Sequence, residues 1–323
     1  MKAKVLQLLR TCEDHFVSGE HISNQLSISR TMVWKYIDAL RKEGYVIKAV
    51  SNKGYHLVEE MDVVNEHAIR SRLEVDAIFQ NIIYEDTVTS TQQVAYKLLG
   101  EGAPHGTLIV ANEQTSGRGR LGREWYSPAN TGIWMSLIMR PNIEMQQTPQ
   151  LTLVAAVALA RAIKEATNYD VQIKWPNDLI FNGKKIAGIL TEMQSDPDRV
   201  KSVIIGIGIN VNQQTFPESI ANIASSLSLE TRETFHRVAI IEHFLREFQW
   251  LYHTYLEKGF SFIKPLWEAR AISIGEEILA KTANGELKGV AEGISDEGVL
   301  LLKDSEGNSH RIYSADIHLL EKE

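Results

Sequence analysis

Gln114-Thr115-Ser116-Gly117-Arg118-Gly119-Arg120-Leu121-Gly122-Arg123-Glu124-Trp125 is the stretch whose reading settles what kind of fold surrounds it. Taken literally, Gly117, Gly119 and Gly122 spell the G-x-G-x-x-G of a dinucleotide-binding unit. The context excludes that reading. The strand expected before it, Leu108 to Ala111, ends too early. No helix follows, because the chain runs into Pro128 and Gly132, and no acidic residue stands near position 137 to hold a ribose. What remains is a glycine-loosened loop whose amides can approach a ligand closely. Its three arginines match phosphate oxygens with a planar, permanently charged fork. Trp125 adds a flat face on which an adenine can stack. Two readings stand at this point: a flap that closes over a nucleotide phosphate, and a flexible surface loop that touches RNA.

On the C-terminal side of the loop the texture mixes helices and strands. Thr148 reads as a cap and Pro149 as the opening of a long helix through Ala166. Asn182-Gly183 is a two-residue hairpin turn between Leu179 to Phe181 and Lys185 to Met193. Ser202 to Val211 reads as a largely apolar strand, and Ile241, Phe244, Leu245, Phe248, Leu251, Tyr252 and Tyr255 stripe a helix. From 271 to 320, turn signals recur at Asn284-Gly285, Glu297-Gly298 and Glu306-Gly307-Asn308, spacing short strands evenly as in a small SH3-like barrel.

The first 58 residues read differently. Val5, Leu8, Leu9 and Cys12 share one helix face, Gly19 to Leu26 form a second short helix, and Ser29 caps a third that runs to about Glu43. Tyr45 to Val50 and Tyr55 to Val58 then flank a turn, which completes a winged helix-turn-helix pattern. Val58 to Val64 reads as an acidic linker. In the third helix Val33, Ile37 and Leu40 face inward, leaving Arg30, Thr31, Trp34, Lys35, Asp38 and Arg41 outside. The first five of these, with Gly19, Ser29 and the wing residue Lys53, are the candidate DNA contacts. The bland alternative is a three-helix packing module with a solvated face.

Charge follows the same division. The 323-residue chain carries a net charge of −7, but residues 1–58 hold nine Lys/Arg against five Asp/Glu. A basic head on an acidic body hints at nucleic acid. Hydrophobic residues make up 44%, enough for real cores. The lone Cys12 rules out an internal disulfide and a multi-cysteine zinc site, and points to a reduced, cytoplasmic protein. Leu151 to Ala160, the most apolar stretch, is too short to span a bilayer, and Gln7 and Arg10 break the N-terminal apolar run, so neither membrane insertion nor secretion is expected.

Further segments agree with the loop: Ser90-Thr91-Gln92, Lys174-Trp175-Pro176-Asn177-Asp178, Lys185-Ile186-Ala187-Gly188-Ile189-Leu190-Thr191-Glu192 and Gly206-Ile207-Gly208-Ile209-Asn210. Together, in this order, they resemble the motifs of the biotin–protein ligases, and with the N-terminal module the chain resembles the repressor-type ligases of bacteria. Two positions depart from the family pattern: Gln92 stands where many relatives have Asn, and Leu121 where some carry another Arg.

The resemblance implies an α+β chain in three parts. Residues 1–60 form a winged helix-turn-helix and 65–270 a mixed α/β ligase domain resembling class II aminoacyl-tRNA synthetase catalytic domains. Residues 271–323 form an SH3-like β-barrel. It implies that biotin and ATP, with Mg2+, give biotinyl-5′-adenylate. Biotin then passes to a lysine of the biotin carboxyl carrier protein of acetyl-CoA carboxylase and of other biotin-dependent carboxylases. It further implies a biotin-responsive repressor whose adenylate-bound homodimer meets the operator DNA of biotin genes.

Residue roles follow from the same source. Lys185, Arg120, Arg118 and Asp178 are the expected catalytic residues, with Lys185 bridging carboxylate and phosphate from the edge of a hairpin. Biotin is expected at Ser90, Thr91, Gln92, Gln114, Gly117, Arg118, Gly119, Arg120, Lys185 and Gly188, against an apolar wall of Trp134, Ile189 and Leu190. The nucleotide is expected at Arg118, Arg120, Arg123, Trp125, Lys185, Asn177, Gly206 and Asn210. Ser90-Thr91 also reads as a helix cap; Asn177 and Asp178 are expected to orient Mg2+ or the acceptor lysine, with Pro-Asn-Asp turn chemistry as the alternative, and the direct protein ligands of Mg2+ stay open. A lipoate–protein ligase and a metabolite-sensing transcription factor are the competing readings. The former shares the adenylation logic, whereas the three arginines and Lys185 exceed what sensing requires.

Overall fold

The structure is a computed structural model that describes residues 1–12, 15–196 and 199–320. The chain divides into two compact units: residues 1–77 with 236–242, and residues 78–235 with 243–323.

In the first unit, helices α1 (Lys2–Arg10), α2 (Gly19–Leu26) and α3 (Arg30–Lys42) precede a hairpin of β1 (Val46–Val50) and β2 (Gly54–Glu59). The helix starts are set by side-chain caps. The Ser18 hydroxyl accepts from His21 N and the Ser29 hydroxyl from Met32 N. Val5, Leu6, Leu9, Ile22, Val33, Ile37 and Leu40 are buried in one core. On α3 the inward face is the expected one, whereas α1 turns Leu6 inward with Val5 and Leu9, and Leu8 and Cys12 are only partly buried. The Arg41 guanidinium donates to the Ile47 carbonyl (2.9 and 2.6 Å), and Val17 pairs with Tyr55, tying the hairpin to the helices.

A short helix α4 (Glu66–Arg70) follows. The stretch expected to be a linker is anchored: Glu60 pairs with Arg10 and Arg72, and Asp62 with Arg237. A charge run reads as solvated spacer only if its partners are unseen, and here one of them lies 175 residues on.

The second unit holds β3 (Asn81–Val88), α5 (Thr91–Gly100), β4 (Thr107–Gln114), β5 (Gly132–Met139), α6 (Thr148–Thr167), β6 (Gln172–Lys174), β7 (Asp178–Phe181), β8 (Lys184–Asp196) and β9 (Arg199–Asn210). The described strands form one sheet in the order β3-β4-β5-β9-β8-β7-β6, parallel only between β3 and β4. Strand β5 is buried throughout, as an all-apolar central strand must be. Asn182 and Gly183 both take positive φ (48° and 76°) in the turn between β7 and β8, the geometry an Asn-Gly hairpin supplies. Strand β4 extends three residues past Ala111, because Glu113 and Gln114 keep pairing with Thr87 and Val88. Thr148 starts α6 but does not cap it; the cap position is Gln147, and the Thr148 hydroxyl points at the Met193 sulfur.

After α7 (Leu227–Thr231), α8 (Arg237–Lys258) and α9 (Phe260–Glu268), five short strands close the chain: β10 (Glu277–Thr282), β11 (Gly285–Ile294), β12 (Leu300–Lys303), β13 (Ser309–Ile312) and β14 (Asp316–Leu319). They form an antiparallel sheet in the order β13-β12-β11-β10-β14. This sheet is stitched to the larger one. Ile173 exchanges backbone hydrogen bonds with Arg270 and Ile272, and the Trp175 indole donates to the Gly298 carbonyl at 3.2 Å. Among the described residues no helix is long and apolar enough to cross a membrane.

Candidate active site

Where the strands of the large sheet meet the glycine-arginine loop they line a cleft of about 810 Å3. No α-helix opens after the three glycines. The loop makes a single 3-10 turn over Arg120–Gly122, with Leu121 at φ +57°, and then returns to strand. That agrees with rejecting the dinucleotide fingerprint, which needs a helix N-terminus under the phosphates.

The floor is a hydrogen-bonded set of neutral polar groups. Ser90 caps α5, its hydroxyl accepting from Gln92 N. Gln114, at the end of β4, turns its side-chain oxygen to Thr91, accepting from the Thr91 amide (2.8 Å) and lying 3.1 Å from the Thr91 hydroxyl oxygen. The Gln114 Nε2 donates to Ser127. Gln92 donates to the Glu192 carboxylate at 2.8 Å and accepts from Ser136. Ser90, Thr91 and Gln92 are each at most 5% exposed, so these partners are what make their burial tolerable.

The opposite chemistry lines the same cleft. Lys185 Nζ lies 2.7 Å from Asp178 Oδ1, in a charge contact rather than an aligned hydrogen bond, and 5.3 Å from the centre of the Trp125 ring. Arg120 donates to Asn177 Oδ1 (3.0 Å) and Ser314 Oγ (2.9 Å), and Arg123 pairs with Asp316. Burial holds the Arg120 pKa below its ordinary value while Asp178 and Asp316 push it back up, and the guanidinium keeps its charge. Asn177 is fixed in turn: its Nδ2 donates to the Ile189 carbonyl, whose own amide returns a bond to Asn177 O.

Of the candidates for biotin and nucleotide, Ser90, Thr91, Gln92, Gln114, Arg118, Gly119, Arg120, Arg123, Trp125, Asn177, Asp178, Lys185, Gly188, Gly206 and Asn210 all line this cleft, as do Ile189 and Leu190. Beside them, a Cβ on Gly117 would lie 2.4 Å from Trp125 O, so its missing side chain lets the loop fold on itself. Two expectations differ. Trp134 is fully buried away from the cleft, its indole donating to the Pro128 carbonyl. Lys185 is not on a free edge, since its backbone bonds to Ile223 and Ser225, a segment no local pattern connects to it.

The structure also adds residues. Lys174 lines the cleft, opposite Asp178 in the β6–β7 register, and burial lowers its pKa while Asp178 opposes the shift. It opens the Lys-Trp-Pro-Asn-Asp segment and was legible there. Asp316 and Ser314 reach the loop from the C-terminal sheet, and no sequence signal marks them. Among the described residues no group of three or more His, Cys, Asp or Glu side chains forms a metal cage.

In the first unit, Ser29, Arg30, Thr31, Trp34, Lys35 and Lys53 are exposed, Trp34 at 55%. Asp38 and Gly19 are half-buried, and Asp38 pairs with Lys42 along the helix. Arg30 pairs with Glu20 at 2.7 Å.

Comparison with known proteins accounts for all three parts. The profile of an HTH domain matches residues 2–56, that of the biotin/lipoate A/B protein ligase family residues 84–210, and that of the biotin protein ligase C terminal domain residues 273–320. The chain is 50% identical over 321 residues to the bifunctional ligase/repressor BirA of Bacillus subtilis, covering 99% of this chain and 98% of that one. It is 29% identical to the bifunctional ligase/repressor BirA of Escherichia coli, over 93% of this chain and 91% of that one. Among solved structures, the biotin protein ligase from Aquifex aeolicus in complex with biotin and ATP superposes with a TM-score of 0.66. It shares 32% identity over 76% of this chain and all of that one.

Proposed function

The chain belongs to the family of bifunctional biotin ligase/repressors, and from that premise we infer that it joins biotin to ATP and passes the biotinyl group to a protein lysine. It is a biotin–protein ligase with an N-terminal DNA-binding module, and that module makes it a biotin-responsive repressor. The observation that carries the reading is a single cleft that combines a neutral hydrogen-bonding floor with Lys185, Arg118, Arg120, Arg123 and an indole.

In the first step a biotin carboxylate oxygen attacks the α-phosphorus of ATP and pyrophosphate leaves. Two anions must meet, so catalysis is chiefly charge management. Lys185 exchanges Asp178 for the biotin carboxylate and the α-phosphate, Arg120 and Arg118 hold the α-phosphate, and Arg123 takes the departing phosphates. The indole of Trp125 stacks on adenine, with Asn177, Gly206 and Asn210 shaping the nucleotide's seat. Ser90, Thr91, Gln92 and Gln114 meet the ureido ring, while Gly119 and Gly188 let the ligand approach the backbone. In the second step the neutral amine of the acceptor lysine attacks the acyl carbon, and AMP leaves with the bonding pair.

Mg2+ fits this donor set as an ion carried in on ATP: Asp178 Oδ1 is a buried carboxylate oxygen on the cleft with no aligned hydrogen bond, and Mg2+ commonly takes one or two carboxylates plus phosphates. When bound, it supplies further neutralisation of phosphate charge.

Residues 1–60 read DNA through Arg30, Thr31, Trp34, Lys35 and Lys53, residues 65–270 form the catalytic domain on the plan of class II aminoacyl-tRNA synthetases, and residues 271–323 form the SH3-like domain. Adenylate orders the loop, the ordered loop completes a homodimer surface, and the dimer meets a two-fold operator. The acceptors are biotin carboxyl carrier domains of biotin-dependent carboxylases. ATP–pyrophosphate exchange that requires biotin, followed by label transfer to a carrier domain, tests the reading. Exchange supported by lipoate, or none at all, would overturn it.

A further inference from the structure

The floor of the cleft contains a chain of four oxygens: Gln114 Oε1, Thr91 Oγ1, Ser136 Oγ and Gln92 Oε1, at successive separations of 3.1, 2.8 and 3.1 Å. Both ends are amide oxygens, which only accept. Their orientation is fixed from outside. Gln114 Nε2 donates to Ser127, whose hydroxyl is committed to the Trp125 carbonyl. Gln92 Nε2 donates to the Glu192 carboxylate, which Tyr96 also engages. The Gln92 oxygen packs over Gly206, 2.5 Å from where a Cβ on that glycine would stand. Two hydroxyl hydrogens must therefore serve three oxygen–oxygen contacts.

The partners decide where they go. Gln114 Oε1 already receives the Thr91 amide at 2.8 Å, whereas Gln92 Oε1 has Ser136 as its hydrogen donor among the described residues. The arrangement that leaves fewest buried acceptors bare is Thr91 donating to Ser136 and Ser136 donating to Gln92, with the Thr91 oxygen alone lacking a donor. The Thr91 hydroxyl is then left with lone pairs alone for the cleft it lines.

We propose that Glu192, Gln92 and Ser136 form a positioning relay that fixes the Thr91 hydroxyl as a hydrogen-bond acceptor, and so selects a ligand that presents an N–H there. The proposal rests on the biotin reading, in which that N–H belongs to the ureido ring. It assigns work to Ser136 and Glu192, which the ligand does not touch, and explains why Gln at position 92 serves: its amide reaches both Glu192 and Ser136.

The test is calorimetric titration of the full chain with biotin and with its two cyclic carbamate analogues, in each of which one ring N–H is replaced by oxygen. The unaltered chain should discriminate against one analogue by about tenfold or more over the other, because an acceptor then faces an acceptor. In Ser136→Ala the Thr91 hydrogen is released to turn outward or to Gln114. Biotin should weaken several-fold while the disfavoured analogue tightens, collapsing the ratio. Gln92→Met, which keeps length but removes the acceptor, should shift the ratio the same way. Biotin binding with an unchanged ratio in both variants overturns the relay alone. Failure of the unaltered chain to bind biotin overturns the biotin reading, and the relay with it.

Discussion

The indole of Trp125 rests on the backbone of Gly208 so closely that a Cβ built on the glycine would stand 2.3 Å from the indole nitrogen. Gly188, directly opposite Gly208 in the β8–β9 register, would likewise bring a Cβ within 3.0 Å of the ring. Two facing glycines on central strands thus make a trough one side chain deep, and Lys185 lies over the ring that fills it.

Gly208→Ala should therefore expel the indole and remove the stacking face from the nucleotide seat. Base–aromatic stacking is worth about 1–3 kcal/mol, so affinity for a non-hydrolysable ATP analogue should fall about tenfold. Biotin, bound at the polar floor, should lose far less. Titration calorimetry with each ligand checks this. Equal losses for both would mean that the substitution disturbs the sheet rather than the seat.

Arg120 spans Asn177 on the large sheet and Ser314 next to the C-terminal sheet, so one guanidinium holds the loop against two separate elements. Arg120→Gly removes that hold and a charge-assisted phosphate contact worth about 1.5–3 kcal/mol. Adenylate should leave about 10–100 times faster and biotinylate bystander lysines. A stopped-flow chase measures the off-rate, and an unchanged rate would contradict the role given to Arg120.

Lys185→Gln leaves the Asp178 carboxylate facing two incoming anions. Biotin-dependent pyrophosphate exchange should drop by about 100-fold or more, the scale of losing a preorganised electrostatic contact. The double change Lys185→Gln with Asp178→Asn removes both charges at once. It should recover thermal stability without recovering the rate. Recovery of the rate would show Lys185 to be only a counter-charge for Asp178.

The difference between what was and was not legible follows sequence distance. Ser29 as a cap, Asn182-Gly183 as a turn and Val33, Ile37 and Leu40 as a core face are local signals, and each stands where the sequence indicates. The clustering of Ser90, Gln114, Arg120, Asn177 and Lys185 in one cleft was accessible only through the family resemblance, because spacing alone does not say which strands are neighbours. Asp316 is a solvated turn acid by any local rule, and only the packing of β14 brings it to Arg123, 193 residues earlier. Gly117 has a second role that only the packing reveals: its missing side chain makes room for Trp125 O and the Ser127 hydroxyl.

In the C-terminal sheet, Asp304 is held well below the usual carboxylate range, first by its hydrogen bond with His310 (2.7 Å) and then by the Asn308 amide. Glu297 is lowered to about 2 by Ser295 and Arg311. Folded pKa values below the unfolded ones mean that the folded state binds fewer protons, so these groups stabilise the fold above about pH 4, the ordinary carboxylate range. That contribution fades as the pH falls toward 2. Asp304→Asn should lower the melting temperature at pH 7 and differ less from the parent at pH 3. A difference that grows on acidification would refute the assignment.

Glu20 holds Arg30 at 2.7 Å on the face proposed to meet DNA, with both side chains about two-thirds exposed. An exposed pair of this kind contributes little to stability, commonly under about 1 kcal/mol, so Glu20→Gln should leave folding intact. It should also release Arg30 toward a phosphate and remove a repelling carboxylate from the interface. Each phosphate contact contributes about −0.9 to the slope of log K against log salt. The variant should therefore bind operator several-fold tighter at low salt, with a slope steeper by about 0.9 for each head engaged. Arg30→Ala should flatten the slope by a similar amount and make the Glu20 change silent. If Glu20→Gln alters neither affinity nor slope while the unaltered chain binds operator, Arg30 does not reach the phosphates and the recognition helix docks through Thr31, Trp34 and Lys35 instead.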